Sequence, residues 1–184
     1  MNNDTPTYLD GNTEFKREDS ITFLDVNCTV DPVNGITYAT NHTPNWVPIG
    51  DDNDELTRER NDEVDSKKNV LGVTNISVTS GAQTTEVDPK KIRGNEALSD
   101  ILYKLDKYDL VGSKARIHGM EVFYGDKQST NTYGAWTEHA ILEVKSWGGD
   151  TSATQAPFTL NWEGDKVHGT FNSNSKEFTE TTNG

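Results

Sequence analysis

Between Ile21 and Val30 the chain reads as a strand, and Asp31-Pro32-Val33-Asn34-Gly35 then supplies Asp-Pro and Asn-Gly turn signals before Ile36, Tyr38 and Thr40 alternate on one face. Trp46-Val47-Pro48-Ile49 reads as a further short strand. Pro48 cannot donate to a ladder, so this strand belongs at an edge or an end. Strand character resumes from Asn69 to Ser80, with Ile76 and Val78 on one side and Asn75, Ser77 and Thr79 on the other. The period then changes. Leu98, Ile101, Leu102 and Leu105 fall at i, i+3, i+4 and i+7, which predicts one amphipathic helix over about 95–108 that packs on a sheet by a single stripe. Asn95 is its predicted N-cap, with Glu96 in the first turn, where the helix dipole favours an anion. Four strands follow, Arg116 to Tyr124, Thr137 to Trp147, Phe158 to Glu163 and Lys166 to Phe171, with Gly164-Asp165 predicted as a two-residue hairpin. Gly125 to Gly134 and Gly148 to Ala156 read as loops of this antiparallel meander. The expected fold class is therefore mainly β, antiparallel, with one flanking α-helix.

Three segments lack a core-forming pattern. Residues 1–20 read as an N-terminal arm, residues 51–68 as a long charged loop, and residues 173–184 as a polar tail that orders only if a partner receives it. The loop holds eight acids and four bases, with only Leu56 and Val64 as apolar anchors. Loops of that length within a domain tend to be functional or disordered. Between arm and tail, residues 21–172 make one domain, since the whole chain has only 184 residues.

Composition narrows the function classes. Hydrophobic residues make up 32% of the chain, the polar edge of globular composition, and apolar runs such as Ala140-Ile141-Leu142 are far too short to span a bilayer. The start, Met1 to Pro6, has neither the basic nor the apolar region of a secretory signal, so the expected compartment is a cytoplasm, with no membrane partner. A net charge of −13 repels phosphate and argues against tight nucleic-acid binding. Cys28 is the single cysteine, which excludes an internal disulfide and a thiolate zinc cluster, and it reads as a small buried hydrophobe.

Candidate chemistry is sparse. No phosphate-binding glycine loop, nucleophile elbow or HExxH sequence is present. His42, His118, His139 and His168 lack metal-ligand spacing; the last three lie on predicted strands and could converge in space, but periodicity alone puts such residues on a sheet face, and no metal is expected. An EF-hand starting at Asp51 would have Leu56 where glycine is needed and Asp62 where a bidentate glutamate belongs. Glu121, Glu138, Glu143 and Glu163 could supply a glycosidase carboxylate pair, but spacing does not fix their separation. Trp46, Trp136, Trp147 and Trp162 could form a sugar-stacking platform, and in a thin-cored sheet protein they are more often core or interface anchors.

The order of features from about residue 20 to 172 resembles the major tail tube protein of long-tailed, non-contractile bacteriophages. The resemblance rests on Trp46-Val47-Pro48-Ile49-Gly50, the charged run Glu55 to Val64, and Lys67-Lys68-Asn69-Val70-Leu71-Gly72, and it continues through the helix into Tyr133 to Gly148 and Phe158 to Phe171. It implies a β-sandwich or rolled barrel flanked by a helix, six subunits per ring, and rings stacked around a channel for DNA. It implies a virion protein of the tail, assembled in the host cytoplasm, with no enzymatic activity, no cofactor and no metal. Its partners would be further copies of itself, the tail tip, tape measure and terminator proteins, and DNA that passes without specific binding. Within the loop, Asp51, Asp54, Glu55, Arg58, Glu59, Arg60, Asp62, Glu63, Lys67 and Lys68 are the expected inter-ring contacts, because mixed charges can fix register between rings. Asp65, Glu121, Glu138 and Glu143 are the lumen candidates. The competing classes are a carbohydrate-binding β-sandwich, which would use the tryptophans, and a small jelly-roll enzyme using a carboxylate pair.

Overall fold

The computed structural model describes residues 14–181; residues 1–13 of the predicted arm and 182–184 of the predicted tail lie outside it. The strands before the helix are β1 (Ser20–Asp25), β2 (Thr29–Asp31), β3 (Gly35–Thr37), β4 (Trp46–Pro48), β5 (Arg58–Glu59), β6 (Glu63–Lys68), β7 (Thr74–Thr79) and β8 (Thr84–Val87). After helix α1 (Ala97–Lys107) come β9 (Arg116–Ser129), β10 (Thr132–Val144), β11 (Gly148–Gly149), β12 (Thr154–Gln155), β13 (Phe158–Asn172) and β14 (Glu177–Glu180).

The main sheet has eight strands in the order β4-β1-β9-β10-β13-β8-β5, with β14 also paired to β13, and all its pairings are antiparallel. It is open, so of the two forms that the tail-tube resemblance implies, the rolled barrel is not found. β2–β3, β6–β7 and β11–β12 form three separate two-stranded pieces. As Pro48 requires, β4 stands at the sheet edge.

Alternation and register bury both faces. On one, Leu24, Ile117, Ala140, Leu142, Leu160 and Phe158 pack under Leu98, Ile101, Leu102 and Leu105 of α1, the stripe that the helical period predicts. On the other, Phe23, Trp46, Met120, Val122, Ala135 and Phe171 form a smaller cluster. Long central strands covered on both sides explain how a chain only 32% hydrophobic still assembles a core.

Several boundaries differ from the sequence expectation, each for a physical reason. The helix is capped at Glu96, not Asn95, which stands at φ +59°, a left-handed conformation that asparagine tolerates. Gly164-Asp165 is not a hairpin. β13 runs through it as a bulge, because β10 opposite is continuous: Thr137 pairs with Val167 and His139 with Glu163, leaving the intervening residues of β13 to bow out. The segment 125–134 is likewise strand on both sides of a tight turn at Asn131, φ +58°. The polar tail is partly ordered by the chain itself, since β14 pairs with β13 and Phe178, opposite Phe171, joins the smaller cluster. Asn172 Oδ1 accepts from the amides of Asn174 and Ser175 and holds the turn between them.

Candidate assembly interface

The segment read as a charged loop divides at Asn61. Before that point it is anchored. Leu56 is buried and its carbonyl accepts from Arg17 Nε at 2.8 Å. Asp51 pairs with Arg93 at 2.6 Å and approaches Lys90 at 3.5 Å, and Lys90, itself buried, reaches Glu96 at 2.7 Å. Asp52 accepts from Arg93 and from the amide of Lys91. Burial would raise the Asp52 and Glu96 pKa values, but hydrogen bonds from the Lys91 amide and Arg93 to Asp52, and from Lys90 and Ser99 to Glu96, hold both below the usual carboxylate range.

Beyond Asn61 the chain leaves the body as the β6–β7 hairpin, in which every residue from 63 to 80 is exposed. A turn fixed by Asn69 joins the strands: its Oδ1 accepts from the amides of Leu71 and Val73, both at 3.0 Å. Register opposes Val64 to Val78 and Ser66 to Ile76, which places Val64, Ile76 and Val78 on one face and Glu63, Asp65 and Lys67 on the other. The tip adds Val70 and Leu71, the latter 84% exposed. At the neck, Asn61 Nδ2 donates to the Ala82 carbonyl at 2.8 Å, and a Cβ on Gly81 would fall 1.7 Å from the Asn61 carbonyl oxygen, so only glycine fits. An isolated two-stranded hairpin is marginal in water, and contiguous exposed apolar surface marks an interaction site.

The predicted contact residues therefore separate. Glu63, Lys67 and Lys68 ride on the hairpin, and Asp54, Glu55, Glu59 and Arg60 are exposed at its root. Asp62 is half-buried, paired with Arg60 at 3.0 Å. Asp51, although exposed, and Arg58 are both paired within the protomer. Arg58 makes a two-pronged bond to Glu138, at 2.6 and 2.8 Å, while Nε donates to Gln83 and the guanidinium lies 4.3 Å over the Trp162 ring. Trp136 Nε1 completes Glu138 at 3.0 Å.

The lumen candidates separate as well. Glu138 is thus buried, and so is Glu121, whose carboxylate accepts from Thr22 at 2.9 Å and Ser20 at 3.2 Å; burial raises its pKa. Neither lies on the free surface that a channel lining needs. Asp65 and Glu143 are exposed, each beside a lysine at 3.0 Å. The Arg58–Glu138 pair has no signature in sequence, since its partners are 80 residues apart. The hairpin had one: two six-residue segments with a valine at matching positions about an Asn69…Gly72 turn.

The remaining candidates are also placed. Glu163 pairs with Arg116 at the surface. Trp46 and Trp162 are buried, Trp136 lies under Lys166 Nζ at 4.7 Å, and only Trp147 is exposed, beside Tyr103, so the four do not form a common platform. Cys28 is half-buried, and burial next to Asp25 pushes its thiol up to about 11, which leaves it protonated and unreactive. His168 is exposed, but His42, His118 and His139 come together beside Asp25, an arrangement that the spacing did not suggest.

No protein-family model matches this chain, and no curated protein matches it. Among solved structures, it is similar to a chain of the anti-feeding prophage baseplate, determined by cryo-electron microscopy with six-fold symmetrisation. The two are 12% identical, with a TM-score of 0.42 over 86% of this chain and 97% of that one. A likeness of that degree carries no argument about what this chain does.

Proposed function

We propose that this chain is a non-enzymatic structural subunit of a phage-type tail tube, in which rings of six copies stack around a channel that DNA traverses. The observation that carries the reading is the β6–β7 hairpin: a formed element that projects from the body with one apolar face and an apolar tip, every residue from 63 to 80 exposed among the described residues. Such an element is stabilised when a partner covers it. The residues that resemble a tail tube protein, Lys67-Lys68-Asn69-Val70-Leu71-Gly72, are those of its last strand positions and turn. In this reading Glu63, Lys67 and Lys68 set register between rings while Val64, Ile76 and Val78 supply the buried area. Asp54, Glu55, Glu59, Arg60 and Asp62 extend the contact at the root. Tail tip, tape measure and terminator proteins would cap or fill the assembled tube, and the virion tail would be its final location.

Negative-stain microscopy and light scattering of the purified protein test this directly. Rings or tubes are expected. Monomers alone at high concentration, with no tubes, would overturn the proposal. A shortened chain, joined from Asp62 to Ser80 across the neck, should fold and fail to polymerise; normal tubes from it would remove the hairpin from the stacking contact.

A further inference from the structure

A carboxylate with no exposed surface sits at the end of β1. Asp25 has neither lysine nor arginine as partner among the described residues; its side-chain partner there is the His42 imidazole, whose Nε2 contacts Oδ2. Buried carboxylates without a strong cation are costly unless they are paired or hold a metal. Its other oxygen, Oδ1, accepts from the backbone amides of Asn27 at 3.1 Å and Asn45 at 2.9 Å, which fixes the carboxylate plane and leaves Oδ2 to point at the histidines. Orientation of a ligating carboxylate by hydrogen bonds to its far oxygen is how proteins prepare metal ligands.

The third group is His118 on β9. Its ring stacks on Tyr38 at 4.1 Å between centroids, and its amide donates to the Tyr38 hydroxyl at 3.0 Å, so backbone and ring are both held. One ligand atom from each of Asp25, His42 and His118 lies within 4.8 Å of the others. Tetrahedral zinc, with bonds near 2.0–2.2 Å, needs ligand atoms about 3.4 Å apart, a difference that side-chain rotation covers. We infer that Asp25, His42 and His118 bind a divalent transition-metal ion of the zinc class, which pins the loop between β3 and β4 onto the main sheet. Two imidazoles and one carboxylate are borderline donors suited to zinc and its neighbours rather than to calcium or magnesium, which take oxygen. His42 and His118 also line a cleft of about 540 Å³ with His139, whose ring is 4.6 Å from that of His118, so the fourth position is filled by His139 or by water from the cleft.

The test uses the full chain after chelator treatment, titrated with Zn²⁺ alone by calorimetry. One equivalent should bind and the thermal midpoint should rise. Asp25→Asn keeps the acceptor for the two amides but loses the charge; it and His42→Ala should each weaken binding by roughly 100-fold. His168→Ala, outside the cluster, should bind as the parent does. Should a variant misfold, the parent chain answers alone: Zn²⁺ should shield His42 and His118, but not His168, from diethyl pyrocarbonate, read by mass spectrometry. No stoichiometric binding, binding unchanged in Asp25→Asn, or equal modification with and without zinc would overturn the inference and leave Asp25 and His42 as a hydrogen-bonded pair. The assay needs no tube, so its failure is separate from failure of the assembly proposal.

Discussion

Two buried glutamates on neighbouring strands are handled in opposite ways, and each makes a distinct prediction. Glu138 has a full cation: Arg58, itself clamped by Gln83 and stacked on Trp162. Removing one member of such a pair leaves a buried charge alone, so Arg58→Ala should cost about 3–5 kcal/mol in chemical denaturation, and Arg58→Lys should recover little because it loses the fork and the stack. Glu121 has only hydroxyl partners in contact, and burial raises its pKa above the ordinary 4.5. A carboxyl whose folded pKa is raised binds its proton more readily in the folded state. Its contribution is complete below the unfolded pKa and is lost as pH rises through the folded one. Glu121→Gln should therefore raise the denaturation midpoint at pH 7–8, with a gain that shrinks toward zero as pH falls below about 4.5. A gain that grows on acidification would reverse the assignment. Alternation places Glu121 and Glu138 each on a strand face, and only the packed protomer shows which neighbours cover them.

At the level of elements, α1 and the β6–β7 hairpin are extremes. The helix is legible because its four apolar residues answer one geometric question, which face packs, and the sheet supplies the other half of the contact. Leu102 has no exposed surface, so Leu102→Ala should cost about 2–5 kcal/mol; a midpoint near that of the parent would move the stripe off the sheet. The hairpin is formed by its register and its Asn69 turn, yet all its residues are exposed among the described residues. Ile76→Lys or Val78→Lys should accordingly leave thermal stability within about 0.5 kcal/mol of the parent while abolishing tube formation. Loss of stability in either variant would show that the face is already packed in the monomer. Removing residues 54–65, by contrast, would take Leu56 and Arg58 with it and unfold the body, which is why the hairpin alone is the informative deletion.

For the whole molecule, the excess of 13 negative charges over a modest core gives the proposed tube its physical logic. A wall bearing carboxylates offers DNA no counterion-release affinity and repels phosphate within the roughly 8 Å over which salt does not fully screen. With Glu121 and Glu138 internal, the proposed tube would have to draw that lining from exposed acids, of which Asp65 and Glu143 are the candidates. A structure of the assembled tube should show a channel of net negative potential. A channel dominated by lysine and arginine, or no channel, would refute it.

Local periodicity by itself determined the antiparallel β character, the single helix with its buried stripe and the edge position of β4, because each follows from backbone geometry and the side chains within one segment; it did not show that Leu56, in the charged stretch after Gly50, joins the core. Tertiary structure decided what depends on opposite strands. Gly164-Asp165 became a bulge because β10 does not break; residues 63–68 became a strand because 74–79 faces them; β14 formed because Phe171 offered Phe178 a partner. The same holds for chemistry. Arg58 finds Glu138 and His42 finds Asp25 and His118 across long stretches of chain, and distances set by the sheet, not intervals along the sequence, bring those groups together.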